Sequence, residues 1–340
     1  MATLRRTVCS LSGLLFSLSL TLLGLVAVTF FIGRMVPIDP VLAVVGDRAS
    51  ADIVERMRVE MGMHLPLYQQ FWDYLGHVLR GEFGTSVLTA NPVAVDIRRL
   101  FPATLELATA AIFIGVVLGV PMGVAAAVWR GRWPDHVIRV VSLVGYSVPV
   151  FWLALVGLFV FYAQLGLVPG PGRIDIYMEE TVPFVSGVII LDSLFAGNRE
   201  VFWSALSHLL LPASILGYFS LAYIARMTRS FMIEQLGEEY IITARAKGLS
   251  SARVVWGHAL GNIRVQLITV IALAYAGLLE GSVLTETVFS WPGLGRYITG
   301  SLLNADMNAV LGGTLVVGAV FVGFNLLSDF LYRFLDPRVR

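Results

Sequence analysis

The chain of 340 residues is 57% hydrophobic and 14% charged, with a mean hydropathy of +0.79, a balance that excludes an ordinary soluble domain and marks an integral membrane protein. The formal net charge of +1 says nothing about nucleic acid, but the charges sit at the ends of apolar runs instead of in a basic stripe. The single cysteine, Cys9, excludes an internal disulfide or thiolate cluster, and the single lysine, flanked as Ala246-Lys247-Gly248, excludes a glycine-rich phosphate loop.

Crossing the hydrocarbon core takes about 20 apolar residues, and about six runs qualify. The first, Leu11 to Gly33, follows Arg5-Arg6. It is long for a secretory signal and has no clear small-residue cleavage site, so residues 1–35 are expected to form a retained anchor. Residues 36–100 read as a small extracytoplasmic helical region. There Ile53, Met57 and Met61 recur at helical spacing behind Ser50, a suitable N-cap, and Phe71 to Leu79 form a second short helix.

The second run, Thr104 to Val128, opens the core transmembrane domain assigned to residues 101–340. Gly115, Gly119 and Gly123 fall on one face of it, as a packing seam within the chain or against a second chain. Pro121 is expected to bend this helix, and Glu106 lies near its outer end, within reach of the headgroups. Tyr146-Ser147-Val148-Pro149 predicts a bend in the third run, Val137 to Leu165. Pro183 to Ala196 is apolar but short and interrupted by Asp192, and is read as an interfacial or re-entrant piece. The remaining runs are Leu206 to Ile224, Val265 to Thr287 and Ala309 to Tyr332.

With six spans, Arg5-Arg6, Arg130 with Arg132, the segment from Arg226 to Arg264, and Arg333, Arg338 and Arg340 all share one side. Short basic loops mark that side as the cytoplasm and place both termini there. The opposite loops carry Arg173 with Asp175, Glu179 and Glu180, then Arg296 with Asp306.

The polar segment 238–262 joins the fourth and fifth runs. Glu238 and Glu239 suit a helix start, and Gly248 suits a left-handed cap that ends it. Ala244 and Ala246 leave little bulk for a partner's groove to accommodate, with Arg245, Lys247 and Arg253 as its charged rim, and composition alone fits equally a surface helix that ties two spans together. Further on, Ser290-Trp291-Pro292-Gly293-Leu294-Gly295 predicts a tight extracytoplasmic turn with Trp291 at the membrane interface.

Thr243-Ala-Arg-Ala-Lys-Gly-Leu-Ser250, with His258, Ala259, Leu260 and Asn262 behind it, and Glu286-Thr-Val-Phe-Ser-Trp-Pro-Gly-Leu-Gly295 carry a family resemblance. The chain resembles permease subunits of binding-protein-dependent ABC importers, in the dipeptide/oligopeptide/nickel branch. It departs from the broader Glu-Ala-Ala motif at Ile242, Thr243 and Ala244, which is usual for that branch. Gly261 replaces the branch's usual arginine, which puts in doubt one charged contact near the ATPase.

The resemblance implies an all-α type I importer permease of about six transmembrane helices in a bacterial inner membrane, in contact with membrane lipid. It also implies a second similar permease subunit, two ATPase subunits that carry ATP-Mg, and an extracytoplasmic substrate-binding protein, with no cofactor or ATPase site on this chain. Glu238, Glu239, Tyr240, Thr243, Ala244, Arg245, Ala246, Lys247, Gly248, Leu249 and His258 become ATPase-coupling candidates within a loop spanning 233–262. Trp291, Pro292 and Gly293, with Glu280 and Glu286, become candidates for the path or its gate.

Glu280 stands where the family is glycine-rich. Three roles are open to it: a carboxylate facing the cavity, a partner for a buried arginine, or a protonated acid in a packed interface. Peptides are the implied cargo, with nickel, glutathione, opines or sugars as alternatives. An intramembrane enzyme would need a Ser/His pair, paired carboxylates or a zinc helix, and the five histidines are scattered without such spacing. An ion-gradient transporter would call for internal repeats and several buried acids, neither of which is clear.

Overall fold

The structure, a computed structural model, describes residues 2–35, 40–46, 48–178 and 181–335. Glu179, Glu180, Arg338 and Arg340 lie outside them, as do the side chains of Arg5, Arg6 and Arg333. Regular structure among the described residues is helical, apart from one isolated bridge between Thr85 and Pro92.

In chain order the helices are α1 (Ala2–Met35), α2 (Pro40–Val45), α3 (Ala51–Glu60), α4 (Leu67–Leu79), α5 (Val93–Val128), α6 (Trp133–Ser147), α7 (Val150–Gly157), α8 (Ile189–Phe195), α9 (Arg199–Leu236), α10 (Glu239–Ala246), α11 (Leu260–Gly281), α12 (Val283–Val288), α13 (Leu294–Leu303) and α14 (Met307–Leu335). π-helical turns extend α7 over Leu158–Gln164 and lead into α11 over Arg253–Ala259. Among the described residues, five helical stretches are long and apolar enough to cross a membrane, and six if the bent pair α6 and α7 makes one span.

That bend is 99°. Val148 is extended, and Pro149, which has no N–H to continue the ladder, starts the new helix. The expected bend is therefore a full break between two helices. Pro121, in contrast, lies within the unbroken run of α5. Pro183 to Ala196 holds only the seven-residue α8, as its length predicts. Asp192 organises this piece: its carboxylate accepts from the N–H groups of Ser186 and Gly187 at 2.8 and 2.9 Å and from Ser186 Oγ at 2.6 Å.

Contacts divide the chain into two units. One comprises residues 1–101 and 294–322. In it Phe30 of α1 meets Phe71 and Tyr74 of α4 with ring centroids 5.4 and 5.6 Å apart, and Val93, Ile97, Leu294 and Ala309 form a core. Two buried carboxylates fasten its loops. Asp306 accepts from Ser86 Oγ at 2.5 Å, and Asp96 from Thr89, Asn91 and Tyr297. Ser50 holds the N-cap position of α3, but its side chain makes no capping bond.

The second unit comprises residues 102–293 and 323–340 and is organised around α9. The glycine face of α5 is a seam within the chain. A Cβ on Gly119 would lie 3.1 Å from Leu221 O, and one on Gly123 2.6 Å from both Ala225 O and Thr228 Cβ, so backbone meets backbone where no side chain fits.

Candidate functional site

The polar segment 238–262 folds as the sequence predicts, and its inner face is more deeply built in than its composition suggests. Glu238 is extended at the N-cap of α10, and Gly248 ends the helix at φ +76°. Leu249 N–H donates to Ala244 O at 3.2 Å and Gly248 N–H to Arg245 O at 2.9 Å, the paired bonds of a Schellman cap. Tyr240 Oη donates to Gln235 Oε1, which ties the helix back to the end of α9.

Ile241 and Ala244 point inward. With Val254, Val255, Ala259 and Ile263 on the following segment, Met232 of α9, and Val124 and Ala127 of α5, they form one apolar cluster. Ala244 is 7% exposed. It is therefore a core residue of this chain, and the small outward surface belongs to Ala246. The exposed face carries Glu238, Glu239, Ile242, Thr243, Arg245, Ala246 and Lys247. Ile242, 64% exposed, is the apolar centre of that face. His258 is also exposed, on the π-helical turn. Sequence reasoning noted Ile242 only as a departure from a motif, although an isoleucine between outward-facing polar neighbours is itself a contact signal.

The second constellation is buried. Glu286 has no exposed surface; its Oε1 accepts from Thr104 Oγ1 at 2.7 Å and from Ser282 Oγ at 3.0 Å. Gly293 lies so close to this carboxylate that any Cβ there would collide with it. Ser290, at φ +50°, turns the chain so that Trp291 N–H reaches Glu286 O at 2.8 Å. Trp291, expected at the headgroups, is instead fully buried, with Nε1 donating to Ala103 O at 2.9 Å. Its two hydrogen-bond donors are satisfied inside the chain, so nothing holds the ring at an interface. Pro292 alone of the three gate candidates is partly exposed.

Glu106 was expected to reach the headgroups and is instead buried against Arg173. Arg173 Nε and Nη2 both donate to Glu106 Oε2, at 2.8 and 2.5 Å, and Nη2 also donates to Gly187 O. Ile190 N–H donates to the other carboxylate oxygen at 3.0 Å, and the guanidinium stands 5.8 Å from the Trp291 ring centre. This clasp joins α5, the loop after α7, the start of α8 and the Trp291 turn. Glu280 is unlike these acids. It is exposed near the end of α11, and no arginine pairs with it among the described residues. Among the described residues Glu280 is therefore not buried against an arginine, one of its three open roles.

Comparison with known proteins places these features in a family. The description "Binding-protein-dependent transport system inner membrane component" matches residues 119–340, and its N-terminal companion matches residues 11–108. A probable D,D-dipeptide transport system permease protein of Escherichia coli is 44% identical over 95% of both chains. A di/tripeptide transport system permease protein of Pseudomonas aeruginosa is 41% identical over 94% of this chain and 95% of its own. Among solved structures, an inward-facing MetNI methionine ABC transporter chain is 18% identical, with a TM-score of 0.48, and covers 70% of this chain and 93% of that one. The chain belongs to the binding-protein-dependent transport system inner membrane component family and is a multi-pass permease subunit, a transport component with no enzymatic role of its own.

Proposed function

We propose that this chain forms half of the translocation path for short peptides in a type I ABC importer of the bacterial inner membrane. It pairs with a second permease chain, takes its substrate from an extracytoplasmic binding protein, and draws energy from two ATPase subunits that hold ATP-Mg. The observation that carries this reading is α10, with one face exposed and the other packed into a cluster shared with α5, α9 and α11. A push on the exposed face reaches three spans at once, because close-packed side chains transmit displacement instead of absorbing it.

Within segment 233–262, Glu238, Glu239, Ile242, Thr243, Arg245, Ala246, Lys247 and His258 meet the ATPase, while Tyr240, Ala244, Gly248 and Leu249 set the shape of the lever. Residues 1–35 are the anchor, 36–100 the extracytoplasmic layer and 101–340 the permease core. Peptide relatives at 41–44% identity favour short peptides over nickel, glutathione, opines or sugars. Glu286, Trp291, Pro292 and Gly293 brace the outer gate from within, and Glu280 faces the path.

The test is reconstitution with the three kinds of partner. Uptake of a labelled dipeptide should require ATP and the binding protein, and Glu280→Gln should lower uptake per assembled complex. Uptake that persists without ATPase subunits would overturn the reading. Orientation is tested separately, in a chain with Cys9 replaced. Cysteine at Ser50 should react with an impermeant reagent in intact cells while cysteine at Ser250 does not, and the reverse would place the termini outside.

A further inference from the structure

Neither the coupling helix nor the outer motif uses the pocket of about 380 Å³ between α6 and α9. Its wall carries Arg139, Arg226 and Arg229 together with His136. The carboxylate at its edge, Asp135, is taken: Arg229 grips it with Nε at 2.7 Å and Nη2 at 2.9 Å, and Gly131 N–H adds a third bond. Arg226 is held over the Tyr146 ring at 4.8 Å and beside Tyr223 at 5.7 Å, which fixes the cation without neutralising it. Arg139 and Arg226 make no ion pair among the described residues. Three guanidiniums thus face one carboxylate.

The rest of the lining is apolar or small, with Val140, Leu143 and Ala222, and Val137 and Val144 continue an exposed apolar strip along α6. Guanidiniums restrained beside low-dielectric walls attract anions far more than solvated ones do.

We propose that this pocket is an oxyanion-binding site, taking the phosphate of an anionic phospholipid or the terminal carboxylate of a peptide, with Arg139 and Arg226 as the binding cations and Arg229 as their Asp135-anchored neighbour. Phosphate and carboxylate offer the same geometry to a guanidinium fork. They differ in where they come from: the strip on α6 suits acyl chains, and the peptide source rests on the function proposed above.

The full chain, assembled with its partner subunits and purified in neutral detergent, is tested by thermal unfolding with paired probes. Phosphatidylglycerol is compared with phosphatidylcholine, and a dipeptide with its C-terminal amide. One anionic probe should stabilise the complex about tenfold more effectively by concentration than its neutral counterpart. Arg139→Gln with Arg226→Gln should abolish that preference, while Arg226→Lys, which keeps the charge but loses the fork and the planar stack on Tyr146, should keep only part of it.

A preference for phosphatidylglycerol alone assigns the site to lipid and stands whatever the cargo of the importer. A preference for the free-acid dipeptide alone, lost in the double variant, assigns it to substrate. The proposal is overturned if neither anionic probe outperforms its neutral partner, or if the double variant responds as the parent does. Both Arg139 and Arg226 are exposed at the pocket mouth, so their replacement leaves the core of α9 intact.

Discussion

Replacing Ile242 by alanine tests whether the exposed face of α10 is a docking surface. The change removes three carbons worth about 0.8 kcal/mol each when buried. With Ile242 64% exposed in this chain, most of that remains to be gained on docking, ~1.5 kcal/mol. The expected result is an ATPase subunit that binds about tenfold more weakly, with peptide uptake falling in step at limiting ATPase. The unfolding temperature of the permease should not change, because the removed atoms lie outside its core. Affinity is measured by titrating ATPase subunits onto the purified permease, with unfolding followed in parallel. An Ile242→Ala permease that binds within twofold of the parent would refute the docking face. A loss of both binding and thermal stability would show that the side chain is structural, contrary to its exposure.

Glu106→Gln leaves Arg173 buried without its counter-charge and should cost about 3–5 kcal/mol of stability, read as a lower unfolding temperature and a lower yield of assembled complex; unchanged unfolding would show that the clasp carries no weight. Gly123→Val drives a side chain into Ala225 O and Thr228 and should destabilise by about 1–3 kcal/mol, whereas Gly261→Val, where a Cβ meets nothing, should be close to neutral; equal effects would contradict the seam. Burial alone would raise the pKa of Asp192, but its bonds from Ser186, Gly187 and Val185 outweigh that and hold the carboxylate below its ordinary range. Its contribution to stability is therefore complete above a pH of about 4 and is lost as pH falls through the lowered folded value. Hydrogen exchange at Gly187 N–H should stay slow from neutral pH down to about 5, and loss of protection already at pH 6 would contradict this.

The spans were legible because about 20 consecutive apolar residues have one physical reading, and the breaks at Pro149 and Gly248 were legible because a missing N–H and a positive φ are properties of single residues. Where the fold brings distant residues together, local pattern was silent. Nothing near Glu106 in sequence announces Arg173, and without that pairing a carboxylate near a span end reads as a headgroup contact. Trp291 was misplaced for the same reason, since its carbonyl partner lies on Ala103. Ala244 and Ala246 are alike in composition, and only the phase of α10 against the cluster around Met232 and Val254 separates core from surface.

The elbow between α6 and α7 limits what can solvate the middle of the third span. Val148 N–H closes on Val144 O at 3.1 Å, but Val148 is extended and Pro149 contributes no donor, so the carbonyls after Val144 lie past the end of the α6 ladder. Hydrocarbon supplies no hydrogen bonds, and each bare carbonyl there would cost several kcal/mol. Lipid tails can wet α1, whose ladder is continuous over 34 residues, but they cannot wet this joint. Donors for those carbonyls have to come from water or from other protein groups, so the elbow is the part of this run least suited to a surround of lipid alone.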